Sequence, residues 1–363
     1  MRKEKKMRVL AFLAVMFTAA IALGGCSSPT SGQTAKTTVT TTYAYAVDTN
    51  SGKVFQIDRS SNTAASSALV TIGQNAAGEI RFCGNTGFVA VGSYNNTVPG
   101  LYYFDASSSN PSAALIGTSM SAQYICIVSS SLGYVSVANY SAPSLDGVYS
   151  FNPSSPSSGL TQIYQNSSSF PQDIVVGSDG YVYVANSAST LPSSAANSIL
   201  RIDSSGTVTT IAPTSSGVTG LSTGSYKGSA GVFVAETGGY TAGSIDFIAS
   251  NATTVTPLIS NASRQIFARA AQLDSNTLVA TGGYPAKTYL VSLAGTPSAT
   301  EVSYSGSSFG SSDVDIYNNI AYVPDGAQAV YAFGSSGSPV KISVGSSTER
   351  ISNVGIGTIT AVQ

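Results

Sequence analysis

PQDIVVGS (171–178), the pair Asp179-Gly180, YVYVANS (181–187), SILRID (198–203), Ser204-Ser205-Gly206 and TVTTIA (207–212) decide how this chain folds. Four runs rich in Val, Ile, Tyr and Thr are separated by Asp-Gly and Ser-Gly turn signals and by one longer loop. β-Branched and aromatic side chains suit a pleated surface, and those turn residues suit hairpins. The stretch therefore predicts an antiparallel four-stranded meander, with strands A, B, C and D in chain order.

Outward from this unit, its second strand recurs. Equivalent B strands end at Asp48 (YAYAVD), Ser93 (FVAVGS), Asn139 (YVSVAN), Asn186 (YVYVAN), Glu236 (VFVAE), Thr281 (TLVAT) and Asp325 (AYVPD), at spacings of 45, 46, 47, 50, 45 and 44 residues. A period of roughly 40 to 50 residues is that of four-stranded propeller blades, each of which buries its faces only by stacking on its neighbours. The fold expected is all-β, a seven-bladed β-propeller of four-stranded antiparallel blades.

The ring also needs closing. After the last D strand (PVKISVG) the chain continues as ERISNVGIGTITAVQ, which has the character of an A strand, whereas no convincing A strand precedes Tyr43. Residues near Ser352 to Ile359 are expected to supply the inner strand of the first blade. Closure of this kind covers edges that otherwise template aggregation.

At the N-terminus, Arg2, Lys3, Lys5, Lys6 and Arg8 precede an apolar run from Val9 to Leu23 and then Gly24-Gly25-Cys26. The apolar run is short for a membrane span and has the layout of an export signal. Leu23-Gly24-Gly25-Cys26 resembles a bacterial lipobox. The resemblance implies cleavage before Cys26, lipidation of its thiol and anchoring through several acyl chains, with outer-membrane placement in a diderm cell because Ser27 follows. An ordinary signal peptide is the alternative. The organisation expected is a signal peptide at 1–25, a Ser/Thr-rich tether at 26–42 and the propeller at 43–363, although TTVTTT (37–42) also fits the start of a strand.

Without residues 1–25 the chain has 11 basic and 16 acidic residues and no histidine. A charge-poor, weakly acidic surface lacks the cationic stripe that phosphate backbones require, so no nucleic-acid partner is expected. With no imidazole to titrate, tolerance of a wide neutral pH range is also expected. Cys83 and Cys126 fall in the A strands of adjacent blades; export permits a disulfide, and two buried free thiols fit equally well.

The missing histidine removes Ser-His-Asp triads, Cys-His pairs and imidazole-ligated metals. Gly306-Ser307-Ser308-Phe309-Gly310 matches a nucleophile elbow without the helix or base that motif needs, and Ser338 to Lys341 matches S-x-x-K within an alternating strand. Neither is read as catalytic. Glu79, Asp173, Asp274, Asp313 and Asp315 lie near A strands, with Arg81 and Arg269 as counter-charges. They form either a cation site in the channel or a solvated lining with turn caps. No catalytic residue, metal ligand or cofactor is assigned.

A tyrosine set marks one face. Tyr94, Tyr140, Tyr240 and Tyr284 follow the ends of four B strands, in loops that leave a propeller on the same side. Their large amphipathic rings suit a protein, peptide or glycan partner; alternatively, each ring covers its own blade.

YVYVAN and YVSVAN, each followed by a loop and a C strand such as SILRID, resemble YVTN- and NHL-type propeller repeats. The resemblance implies a disc of six or seven blades. It also implies that relatives include recognition platforms alongside lactonase-like and streptogramin-lyase-like enzymes, the latter relying on histidine. The reading favoured is a non-catalytic binding or scaffolding module, membrane-bound through its lipid anchor. The alternatives are a lactonase-like hydrolase using carboxylates and a divalent metal, and a structural envelope component.

Overall fold

Seven antiparallel sheets follow one another around a central axis in the computed structural model of the chain. The structure describes residues 38–362 except 76, 94–97, 140–142, 189–196, 241, 264–265 and 283–285, and it leaves aside the side chains of 77, 187–188, 240, 261–263 and 362. Each sheet is a four-stranded blade, with an additional two-residue strand in blades 1 and 6. The innermost A strands of blades 1 to 7 are Ile351–Val362, Ala77–Cys83, Ala122–Ser129, Ser169–Val176, Val218–Tyr226, Arg269–Asp274 and Asp315–Tyr317.

The continuous apolar character of the B strands has a direct cause. A strand inside a stacked blade is buried on both faces, so successive residues face opposite neighbours. In blade 1, Ala44 and Ala46 pack with Tyr322 and Val330 of blade 7, while Tyr45 and Val47 pack with Ile80 and Val89 of blade 2. Phe88 and Ala90 continue the scheme against Ile125 and Val135 of blade 3. Seven hydrophobic clusters result, one at each interface between adjacent blades.

Closure joins the two ends of the domain. The C-terminal strand Ile351–Val362 pairs antiparallel with Thr38–Asp48 along its length, from Thr38 opposite Val362 to Asp48 opposite Ile351. Thr38 to Thr42, assigned to the tether by the sequence boundaries, are therefore strand: their β-branched side chains meet a matching row, with Thr42 and Thr358 hydroxyls 2.9 Å apart. The Asn85 amide brackets Thr360, accepting from its N–H and donating to its carbonyl, both at 2.8 Å. Gly355 and Gly357 allow this strand to lie against blade 2, since a Cβ at either would collide with Ile80 or with the Phe82 ring.

Candidate binding face and central channel

An A strand is the inner edge of its blade, so half of its N–H groups point into the channel without a strand partner. Carboxylates satisfy several of them, including the N–H groups of Ile125, Leu221, Val354 and Ile356. The registers of the A and B strands align Ile80, Ile125, Ile174, Leu221, Ala270 and Val354. The residues just before them, together with Asp313 in blade 7, form one channel layer: Asn353, Glu79, Tyr124, Asp173, Gly220, Arg269 and Asp313 for blades 1 to 7.

Three carboxylates of this layer reach sideways to the next blade. Glu79 accepts from the N–H of Ile125, Asp173 from Leu221 at 2.8 Å and Asp313 from Val354 at 2.9 Å. The Arg269 guanidinium sits among them. Arg269 donates to Glu79 at 2.9 Å and to Asp313 at 2.8 Å, lies 3.4 Å from Asp173, and faces the Tyr124 ring at 5.5 Å. One turn of the pleat further along, Arg81 pairs with Glu79 and, at 3.4 Å, with Asp315, which itself accepts from Ile356 N–H at 3.0 Å.

Four of the five sequence-nominated carboxylates thus converge, with both nominated arginines. Asp274 does not: it ends its A strand and caps the turn that follows, accepting from Asn276 N–H at 2.9 Å. The arrangement is self-satisfied, because Arg269 is the internal cation for Glu79, Asp173 and Asp313. Among the described residues no three acidic or cysteine side chains are placed to hold a metal ion.

Burial is the largest influence on Asp173 and Asp315. It lifts Asp173 to about 7 against the attraction of Arg269, and it raises Asp315 against that of Arg81. Asp146, just before the C strand of blade 3, is lifted to about 6 for the same reason. Buried carboxyls therefore titrate in the neutral range that the missing histidine had suggested would be quiet.

The meander sends the B–C and D–A loops to one face. There, the acidic or amide residue that ends many B strands is a fastening for the chain entering the same blade. Asp48 accepts from Arg350 N–H at 2.8 Å, Asn186 from Phe170 N–H at 3.0 Å and Glu236 from Ser215 N–H. Asp325 instead caps its own turn through the N–H groups of Ala327 and Ala329. Asp246 lies beside Glu236, and burial together with this acidic neighbour pushes Glu236 up to about 9. Sequence reasoning missed this pair: the residues are ten apart and meet only because strands B and C are adjacent.

Of the nominated tyrosines, Tyr94, Tyr140 and Tyr284 lie outside the described residues, and Tyr240 is described only as backbone in the turn Gly238–Tyr240. Cys26 also lies outside. Cys83 and Cys126 are free thiols, not a disulfide. The reason is depth: Cys83 is beside Ser129 of the neighbouring A strand, three residues beyond Cys126, with its Sγ 3.9 Å from the Ser129 carbonyl oxygen.

This architecture defines the class: a seven-bladed β-propeller. No family model matches the chain, and no curated protein matches its sequence. Solved structures share the fold at low identity. YCF48 bound to D1 peptide is 9% identical, with a TM-score of 0.51 over 82% of this chain and 83% of that one. Apo AztD from Citrobacter koseri is 12% identical, with a TM-score of 0.52 over 88% and 98%. Catalytically inactive virginiamycin B lyase from Staphylococcus aureus with quinupristin is 13% identical, with a TM-score of 0.51 over 82% and 96%. At these identities the likeness is one of fold.

Proposed function

We propose that this propeller is an exported, lipid-anchored binding module of the bacterial cell envelope, non-catalytic, with its partner held on the face of the B–C and D–A loops. The observation that carries the reading is the channel: its acids are committed to Arg269, Arg81 and the N–H groups of neighbouring blades. Such groups hold the ring together and are poorly placed to exchange protons with a substrate. A rigid ring with long loops on one face is a platform, and binding residues concentrate on such loops. Structural neighbours solved with D1 peptide and with quinupristin support a recognition role for this architecture. The YVTN- and NHL-like repeats agree with that reading.

Anchoring rests on the lipobox-like Leu23-Gly24-Gly25-Cys26. Eleven residues separate Cys26 from the first strand, a reach of at most about 40 Å when extended. The test has two arms. Cys26→Ser should abolish incorporation of labelled palmitate and release the protein from the membrane fraction. The soluble Cys26→Ser chain, added to isolated envelopes, should be captured saturably. Retention of label in the variant removes the anchor, and the lack of saturable capture removes the binding module.

A further inference from the structure

Between blades 3 and 4, on the loop face, lies a hollow of about 610 Å³. Its volume falls within the roughly 300–1,000 Å³ that small-molecule sites enclose. The D strand of blade 3 (Thr161–Gln165) forms one wall; the C and D strands of blade 4 (Ser198–Ile202 and Val208–Ile211) form the other. Leu200, directly opposite Thr210 in the ladder, and Val208 provide an apolar floor continuous with the cluster at this blade interface.

The polar groups of the hollow divide into two sets. Asn166, Asn186 and Ser198 are used by the scaffold: Asn166 accepts from Ser168 N–H at 2.9 Å, and Asn186 accepts from Phe170 and donates to Ser198 at 3.3 Å. The Tyr164 hydroxyl, the Asn197 amide and the Thr210 hydroxyl have no hydrogen-bond partner among the described residues, although all three line the same space. They come from three different segments. None of the lining residues carries a formal charge at neutral pH.

The chemistry selects the ligand. Without a cation, the hollow offers nothing special to a phosphate or carboxylate; without a carboxylate, it offers nothing to an amine. An aromatic edge, an apolar floor and uncommitted amide and hydroxyl groups match a molecule with C–H faces and a rim of neutral hydroxyls. We infer that the hollow between blades 3 and 4, with Tyr164, Asn197 and Thr210 as its recognition groups, binds a neutral oligosaccharide. This inference rests on the binding-module reading above and supplies its ligand class.

The probes are triacetylchitotriose, maltotriose, cellotriose and mannotriose, followed by saturation-transfer NMR and calorimetry on the full chain in a detergent without a sugar headgroup. At least one should bind. Asn197→Leu should weaken it about tenfold, the effect of one lost hydrogen bond of ordinary strength, and Tyr164→Phe and Thr210→Val should each weaken it several-fold. Thermal unfolding should be unchanged, because none of these polar groups bonds to the described scaffold. Two results would overturn the site: no binding of any probe at about 10 mM, tenfold above a millimolar dissociation constant, or binding that survives the triple variant. Envelope capture equal for wild type and triple variant, with no sugar bound, overturns the hollow and leaves the binding-module reading standing.

Discussion

Arg269→Met tests the channel most directly. The substitution keeps the length of the side chain and removes the one cation that Glu79, Asp173 and Asp313 share, at 2.9, 3.4 and 2.8 Å. All four side chains are at most 6% exposed, so solvent cannot replace the guanidinium. Removing one partner of a buried ion pair costs about 3–5 kcal/mol. A second route to the magnitude is protonation. Neutralising a carboxyl whose free pKa is about 3.9 costs about 1.4 kcal/mol per pH unit above it, hence about 5 kcal/mol at pH 7.5 and about 1.5 kcal/mol at pH 5. The two estimates agree near neutrality, and the second adds a signature: the deficit of the variant against wild type should shrink by about 3.5 kcal/mol between pH 7.5 and pH 5. Urea unfolding followed by tyrosine fluorescence suits the chain, which has 20 tyrosines and no tryptophan. A loss under about 1 kcal/mol at pH 7.5, or an equal loss at both pH values, would refute the picture of a guanidinium neutralising three buried acids. Adding Asp313→Asn to the variant should restore part of the loss.

Burial raises Asp146 to about 6 and Asp173 to about 7, so the folded state holds these protons more tightly than the unfolded chain. Their contribution is complete below the free carboxyl value and is lost as pH rises through about 6 to 7. Melting temperature should therefore fall between pH 5 and pH 8, and Asp173→Asn should flatten that fall; a profile that rises with pH contradicts the assignment. Glu349, held down to about 2 by Ser346 and Lys53, acts in the opposite sense only in acid and leaves this window untouched. Deleting residues 351–362 strips the inner strand from blade 1, and size-exclusion chromatography should show aggregated or open material; a monomeric, cooperatively unfolding product would show that closure is dispensable. Gly357→Val, which sets a branched side chain against the Phe82 ring, should lower the melting temperature by several degrees, and an unchanged value would mean that the strand shifts freely.

The architecture was legible because propeller strands obey local rules. YVYVAN and its six counterparts are apolar on both faces because blades cover both, and the turn pairs between them leave a period that survives heavy divergence. The tail ERISNVGIGTITAVQ was legible as the missing A strand for the same reason. The start of the first strand was less so, since TTVTTT suits a tether as well as a strand until its partner at Thr358 to Val362 is known. Depth was not legible at all: the sequence left Asp274 open between channel acid and turn cap, and Cys83 and Cys126 between a disulfide and free thiols, and only the levels at which they lie decide for the cap and the thiols. Tyr164 and Thr210 gave no signal, because each reads as an ordinary strand residue until two blades are stacked.

By itself, the chain's residue order dictated strand, turn, repeat and closing segment, all set by interactions a few residues long or by a period repeated seven times. Only the folded ring decided that Arg269 meets Glu79 across 190 positions, that Asp313 serves the blade beside it, and that a hollow opens where two blades meet. Those outcomes depend on the angle and depth at which each blade faces the axis. That geometry comes from packing all seven blades against one another, and no local stretch of sequence encodes it.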